Sequence, residues 1–499
     1  MANFAAAFAL VFDPYVMWVM LASALFGLFV GAVPGLTATM ATALLVPVTF
    51  FMPPVPALAS IVTATAMAIF AGDIPSCFLR MPGTPASAAY TDEAYAMTKK
   101  GQGEVALGAG LVFSVIGGLF GTAVLIVAAP SLAEVALKFG TFEYFWLVLL
   151  GLTCAVFIAV GNPLKGLVSL LLGLLVSSVG LDNPAAYPRF TLGNAELAGG
   201  LTLIPMMIGM FAVSEILRNA SSIDEPWEMA KVHVGNVFAG MWRLIRKYPA
   251  AILRGSTLGT LIGALPGAGA DIAAWMSYAM SKKFSKEPEK FGTGHVEGIV
   301  EAGAANNSAL AGAWIPALVF GIPGDSITAI VIGVLYIKGL NPGPTAFMQN
   351  APSIYAIFIV FVLANLLMLP LGVAAIKCAK QMLRVPREVL MPVILLFCIV
   401  GAFAINNSAF GVLVMLVFGV VAWLMEENGF PVAPAILGIV LGAMLEENFI
   451  SSMIKADGRF LAFFERPVAG TLGVATLLVW AFPAVMWLWR RRRGSSSER

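Results

Sequence analysis

The chain has 499 residues, of which 60% are hydrophobic and 11% charged, with 50 glycines and a formal net charge of +2. A soluble protein of this length covers its outside with roughly a quarter charged residues, so the composition excludes a water-soluble fold and leaves the lipid bilayer as the surrounding solvent. The small net charge singles out no partner, and none among nucleic acids is expected.

From the N-terminus onward, apolar runs of about 20 residues, enough to cross a hydrocarbon core of roughly 30 Å, follow one another to the end of the chain. Residues 1 to 79 contain no Lys or Arg, so the basic start of a signal peptide is absent and no cleavage is expected. The first half, 1–217, is interrupted at Pro34–Gly35 and Pro82–Gly83. A charged stretch, 218–254, carries Asp224, Glu225, Glu228, Lys231, Arg243, Arg246 and Lys247 and reads as a cytoplasmic linker with an interfacial helix. The second half, 255–499, is interrupted at Pro266–Gly267 and Pro323–Gly324 and ends on Arg490, Arg491, Arg492 and Arg493, which place the C-terminus in the cytoplasm. His233 lies in the linker and His295 beside a basic loop, so neither reads as catalytic. The four cysteines are scattered without Cys-x-x-Cys spacing, and no metal or disulfide role is expected.

The two halves repeat. Gly27–Gly35 (GLFVGAVPG) matches Gly259–Gly267 (GTLIGALPG) at five of nine positions, and IPSCFLRMPG (Ile74–Gly83) matches IPALVFGIPG (Ile315–Gly324) in the same order. Each match contains a Pro-Gly that interrupts an apolar segment, which predicts two helical hairpins per half. In the second half the expected hairpins are 255–281, with its tip at 266–267, and 315–339, with its tip at 323–324, separated by a crossing over 297–314. Placing Lys99, Lys100, Lys282, Lys283, Lys377, Lys380, Arg384 and Arg387 inside requires five crossings in the first half, an odd number, so the second half is inverted relative to the first. The same count leaves the N-terminus periplasmic and strands Lys455, Arg459 and Arg466 outside. The expected fold is an all-α polytopic membrane protein of two inverted repeats, working as an alternating-access, elevator-like carrier.

Irregular backbone inside a bilayer survives only where protein or water covers it, so the breaks are expected to line a site. Half-helix N-termini offer free N–H groups and partial positive charge to a carboxylate, and oxygen atoms nearby suit a hard cation such as sodium. The residues expected to meet substrate are Pro34, Gly35, Thr37, Pro266, Gly267, Gly269, Asn306, Asn307, Pro323 and Gly324. The expected ion ligands are Thr39, Thr63, Thr65, Thr84, Asp271, Ser308, Asp325 and Ser326, with sodium as the only metal and no other cofactor. Ser87 and Thr328 follow the second breaks in the same way. Threonines in membrane helices commonly bond their own backbone, and small residues commonly serve packing, so these positions also have a purely structural reading. Arg80 reads as an interfacial residue. Glu426, Glu427, Glu446 and Glu447 read as helix ends at the water boundary.

GALPGAGAD (Gly263–Asp271) is glycine-rich but lacks the Lys-Ser/Thr of a phosphate-binding loop, which removes an ATP-driven pump. An intramembrane aspartyl protease using Asp271 and Asp325 as a proton-sharing pair and a passive anion channel are the alternatives to a carrier.

The stretches GAVPGLTATMATALLVPVTF (Gly31–Phe50), GALPGAGADIAAWMSYAMSKKF, HVEGIVEAGAANNSALAGAWIPALVFGIPGDS and GLNPGP resemble the large membrane subunit of the tripartite tricarboxylate transporters across nearly the whole chain. The resemblance implies a non-enzymatic carrier of the bacterial inner membrane that takes up citrate-like or related carboxylates with sodium or proton coupling. It also implies two partners: a small membrane subunit of about four helices and a periplasmic solute-binding protein. Carried over by motif, Pro34, Gly35, Thr37, Pro266, Gly267, Asn306, Asn307, Pro323, Gly324 and Asp325 are the positions of interest.

Overall fold

A computed structural model describes residues 2–158, 162–181, 187–220, 235–384 and 387–494. Among them the structure is helical, without strands apart from one isolated bridge between Gly180 and Arg189. The chain opens with α1 (Ala2–Val11), α2 (Pro14–Ala32), α3 (Ala38–Phe50), α4 (Pro54–Ala71), α5 (Asp73–Leu79), α6 (Thr91–Lys99) and α7 (Gly103–Ala136). It continues with α8 (Thr141–Ile158), α9 (Pro163–Ser177) and α10 (Ala195–Ala198), then α11 (Leu203–Ile208), a π turn over Gly209–Val213, α12 (Ser214–Ala220) and α13 (Met241–Lys247). The second half brings α14 (Pro249–Gly263), α15 (Gly269–Phe284), α16 (Val296–Phe320), α17 (Ser326–Ile337), α18 (Ala346–Gln349) and α19 (Ala351–Met382). The last helices are α20 (Arg387–Asn406), α21 (Ala409–Glu427), α22 (Val432–Lys455), α23 (Ala462–Glu465) and α24 (Pro467–Gly494). Eight of the described helices are long and apolar enough to cross a membrane: α2, the α4–α5 pair, α7, the α11–α12 run, α19, α20, α21 and α22. The protein is a polytopic membrane protein.

The residues fall into two compact units, Met1–Glu134 with Thr202–Asn428, and Val135–Leu201 with Gly429–Arg499. The four Pro-Gly breaks all belong to the first unit. Inside the second, the Trp146 indole donates to the Phe463 carbonyl at 2.9 Å amid Phe145 and Ala469. Its helices α9 and α22 approach through Gly173 against Ala435 and Gly438 against Leu170. Arg466, stranded on the outside by topology counting, lies in this unit with its guanidinium 2.9 Å from the carboxylate of Glu143, which is itself buried. Its position answers to that ion pair. Glu446 and Glu447 do not end a helix; they sit inside α22, where Glu446 pairs with Arg189 at 2.6 Å. Glu426 and Glu427 do close α21, and Glu426 faces Arg218.

In the first unit the repeated sequences share one packing. Gly27 and Gly31 of α2 lie on the backbone of Ala64 and Ala68 of α4, and Gly259 and Gly263 of α14 lie on Ala305 and Ala309 of α16. In both pairs the numbers climb together, so the two helices run in the same direction, and α3 or α15 is the returning segment between them. A Cβ at any of these glycines would collide with the facing carbonyl oxygen, which is why only glycine stands there. The recurrence extends further. Gly83 rests on Gly31 and Gly72, and Gly324 rests on Gly263 and Ala313.

Two expected boundaries move. The first helix of the second half already starts at Pro249, so Arg254 and Gly255 are helical, with Arg254 bound at 2.6 Å to the buried Glu301 of α16. The expected turn at Ile315–Pro316 is absent, and α16 runs through Pro316 to Phe320, turning only at Gly321, whose φ is 68°. A proline removes one helical hydrogen bond, a loss the close packing of Trp314, Ala317, Leu318 and Val319 outweighs. The second break is therefore the end of a long helix. Of the linker, α12 and α13 are helical, while Asp224, Glu225, Glu228, Lys231 and His233 lie outside the described residues.

One buried carboxylate ties the halves together. Glu93 of α6 accepts hydrogen bonds from the Tyr278 hydroxyl at 2.8 Å and from the amides of Gly292, Gly294 and His295 at 2.5, 2.6 and 2.7 Å.

Because the glycine faces meet backbone that cannot step aside, Gly31→Val and Gly263→Val should each abolish the monodisperse peak of detergent-solubilised protein in size-exclusion chromatography. Gly303→Ala, where a Cβ meets nothing within 4 Å, should leave the peak intact.

Candidate functional site

At each first break a proline follows the end of one helix and a glycine with positive φ reverses the chain: Gly35 at 87° and Gly267 at 82°. The reversal exposes the N-terminus of the returning helix. Thr37 caps α3 by accepting the Met40 amide at 3.1 Å, whereas α15 begins at Gly269 without a side-chain cap.

The second breaks use one device twice. Asp325 and Thr328 bond reciprocally: the Thr328 amide donates to the Asp325 carboxylate at 2.7 Å and the Asp325 amide to the Thr328 hydroxyl at 2.9 Å. In the first half the Ser87 amide donates to the Thr84 hydroxyl and the Thr84 amide to the Ser87 hydroxyl, both at 3.2 Å. The two halves thus share a reciprocal bond between residues three apart, which in the second half caps α17 and includes a carboxylate.

The breaks converge within the first unit. The Gly267 amide donates to the Gly324 carbonyl at 2.9 Å, and a Cβ built on Gly269 would stand 2.8 Å from that of Asp325. The start of α15 is therefore in contact with the start of α17. Asp271, an exposed residue in the first turn of α15, faces the Ala86 amide in the second break of the first half. Since Gly83 in turn rests on Gly31, all four breaks are linked by contacts. Pro266, Gly267, Gly269, Pro323, Gly324, Thr84, Asp271, Asp325 and Ser326 belong to these contacting segments, whereas Gly35, between Pro34 and Thr37, accepts the Asn219 side-chain amide of α12 at 3.0 Å.

Other expected site residues lie deeper in the packing. Thr65 of α4 bonds the Thr42 hydroxyl at 2.9 Å and the Ile61 carbonyl, the ordinary structural use of a membrane threonine. Ser308 returns its hydroxyl to Ala305. Asn306 and Asn307 are fully enclosed on α16, the first donating to the Tyr90 hydroxyl at 3.4 Å and the second to the Met368 sulfur at 3.5 Å. Thr63 is buried with its hydroxyl unpartnered, and Thr39 is half-buried on α3. Arg80 is exposed and bound to Asp92 at 2.9 Å.

One group escaped motif reading. Asp73, first residue of α5, is buried and accepts the Tyr90 hydroxyl at 2.6 Å. The available signal was a lone acidic residue inside an apolar run, which in a bilayer is costly enough to warrant a reason.

The reciprocal cap at the second break gives a measurable expectation. Thr328→Val keeps shape but removes the hydroxyl that accepts the Asp325 amide and donates back to Asp325, and should lower stability by about 1 kcal/mol. Thr328→Ser should restore most of it. Thermal midpoints of the purified variants in detergent check both.

Residues 17–437 match the tripartite tricarboxylate transporter TctA family. The chain is 34% identical over 464 residues, 92% of each chain, to an Agrobacterium vitis protein described as an uncharacterized 52.8 kDa protein in the TAR-I ttuC' 3' region. It is also 33% identical over 230 residues to an uncharacterized protein in the TAR-II ttuC' 3' region of the same organism, covering 46% of this chain and 95% of that one. No solved structure matches. With broken helices meeting inside a polytopic helical fold and a family match over most of its length, this chain belongs to the tripartite tricarboxylate transporter TctA family, as the membrane component of a transporter of several subunits.

Proposed function

We propose that the chain performs secondary active uptake of small carboxylates, citrate-like tricarboxylates or related organic acids, driven by a sodium or proton gradient. The observation that carries this reading is the meeting of α15 and α17 at their N-termini, with Gly269 against Asp325. A bilayer-embedded site of this kind binds an anion through helix ends without a buried lysine.

The four ends differ in charge, which divides the work. Thr37 is neutral, so the start of α3 keeps its partial positive charge for a carboxylate, while α15 leaves its first amides without a side-chain cap and carries Asp271 in its first turn. Asp325 offsets the field at α17 and brings negative charge, as Asp271 does nearby, so a cation fits on that side. The anion is assigned to Pro34, Gly35, Thr37, Pro266, Gly267 and Gly269, and the coupling cation to oxygens including Asp271, Asp325 and Ser326.

The family's multi-subunit character supports a small membrane subunit of about four helices and a periplasmic solute-binding protein that delivers the carboxylate. The recurring glycine contacts support a duplication, and basic-loop counting supports its inversion in a bacterial inner membrane, with the C-terminus cytoplasmic and the N-terminus periplasmic. The hairpins then open the site alternately to the two faces.

Uptake of radiolabelled citrate into proteoliposomes holding this chain, its small subunit and its binding protein should require both the binding protein and a sodium or proton gradient. Failure with citrate, a panel of other carboxylates and both gradients would overturn the transport reading. Asp325→Asn retains the cap, since Asn serves as well as Asp at that position, and removes only the charge. It should reduce ion dependence several-fold, and an unchanged dependence would remove Asp325 from the cation site.

A further inference from the structure

We propose that Asp73 carries a coupling cation, a proton or a sodium ion, in an enclosed site that it shares with Tyr90 and Asn306, an assignment that rests on the ion-coupled reading above. The three residues are joined through one phenol oxygen. The Tyr90 hydroxyl donates to Asp73 Oδ1 at 2.6 Å and receives the Asn306 amide at 3.4 Å. Asp73 is 3% exposed, Tyr90 1% and Asn306 0%. Asp73 Oδ2 and Asn306 Oδ1 nevertheless have no hydrogen-bond partner among the described residues. An orphaned oxygen on a buried carboxylate, with a second orphaned acceptor on the amide that bonds the same phenol, leaves negative charge unmatched, which a cation fills.

Among the described residues no side chain supplies that charge. The titratable groups facing Asp73 are Tyr90 and, one turn along its own helix, the buried Cys77. From α6, Thr91 bonds Ser76 at 3.0 Å, Asp92 is engaged by Arg80, and Glu93 is turned to Tyr278 and residues 292–295. Neither α2 nor α4 contains a charged residue. The remaining neighbours are neutral: α7 presents Gly110, where a Cβ would collide with Asp73 Oδ2, and α16 presents Asn306. Glycine at 110 makes room for a carboxylate oxygen, and the surroundings then leave that oxygen unmatched.

A proton needs only Oδ2. A sodium ion would draw on Oδ2, Asn306 Oδ1 and neighbouring backbone carbonyls, the oxygen-only donor set of a hard cation. Asp73 and Tyr90 come from the first half of the chain and Asn306 from the second. Occupancy therefore favours the arrangement that holds α5 and α16 together, and a ligand that binds one arrangement better shifts the population toward it.

The test is the ratio of carboxylate uptake with and without each gradient, in the reconstituted three-component system, for wild type, Asp73→Asn and Tyr90→Phe. Expected is a wild-type ratio well above one for at least one gradient, lost in Asp73→Asn. Tyr90→Phe, which keeps the ring and removes the donor, should shift the midpoint of the dependence by about tenfold in cation concentration and stands in if Asp73→Asn does not fold. A shifted midpoint in pH identifies a proton, and one in sodium concentration identifies sodium. A coupled wild type with an equally coupled Asp73→Asn, or an unmoved midpoint in Tyr90→Phe, overturns this assignment alone. A wild type indifferent to both gradients defeats the ion-coupled reading itself and the assignment with it.

Discussion

Two helix pairs touch along glycine faces, α2 on α4 at Gly27 and Gly31, and α14 on α16 at Gly259 and Gly263, and the rest of the first unit is arranged around those contacts. In a bilayer the hydrophobic effect does not push helices together, because lipid tails are as apolar as the side chains they would replace. Close approach of backbones must supply the association instead, through dispersion. With Gly31 and Gly263 seated on their partners, the chain reaches Pro34 and Pro266 beside the second break of the same half, since Gly83 and Gly324 rest on those glycines. The site is thus a by-product of how tightly the helices before it pack.

The matched segments of the two halves make the same glycine contacts but differ in chemistry. Thr84–Ser87 and Asp325–Thr328 form the same reciprocal pair of bonds, one neutral and one charged. Where the second half buries Trp314, immediately before the stretch matched by sequence, the first half has Asp73. A symmetric scaffold holding asymmetric charge can treat an anion and a cation differently, which a coupled carrier requires and two identical halves would not readily provide.

What the sequence disclosed was whatever rests on local stereochemistry. A Pro-Gly inside an apolar run cannot continue a helix, and the breaks at Gly35 and Gly267 duly show positive φ. Proline alone was a weaker guide, because Pro316 sits within α16, whose packing tolerates one missing hydrogen bond. Glu446 and Glu447 misled for a related reason, a helix interior being able to hold an acid that finds an arginine such as Arg189. The division into two units was not legible, since each unit joins segments from both halves through contacts distant in sequence. Nor was the enclosure of Asn306 and Asn307, which depends on Tyr90 and Met368 far along the chain.

The Glu93 joint has a further consequence. A carboxylate that collects a tyrosine hydroxyl and three backbone amides is content only with the full set, for each donor withdrawn leaves more of a buried charge bare. The segment 292–295 links the returning helix α15 to α16, so any displacement of that hairpin at this end meets a latch with a threshold. Arrangements that break only some of these bonds are the costly ones.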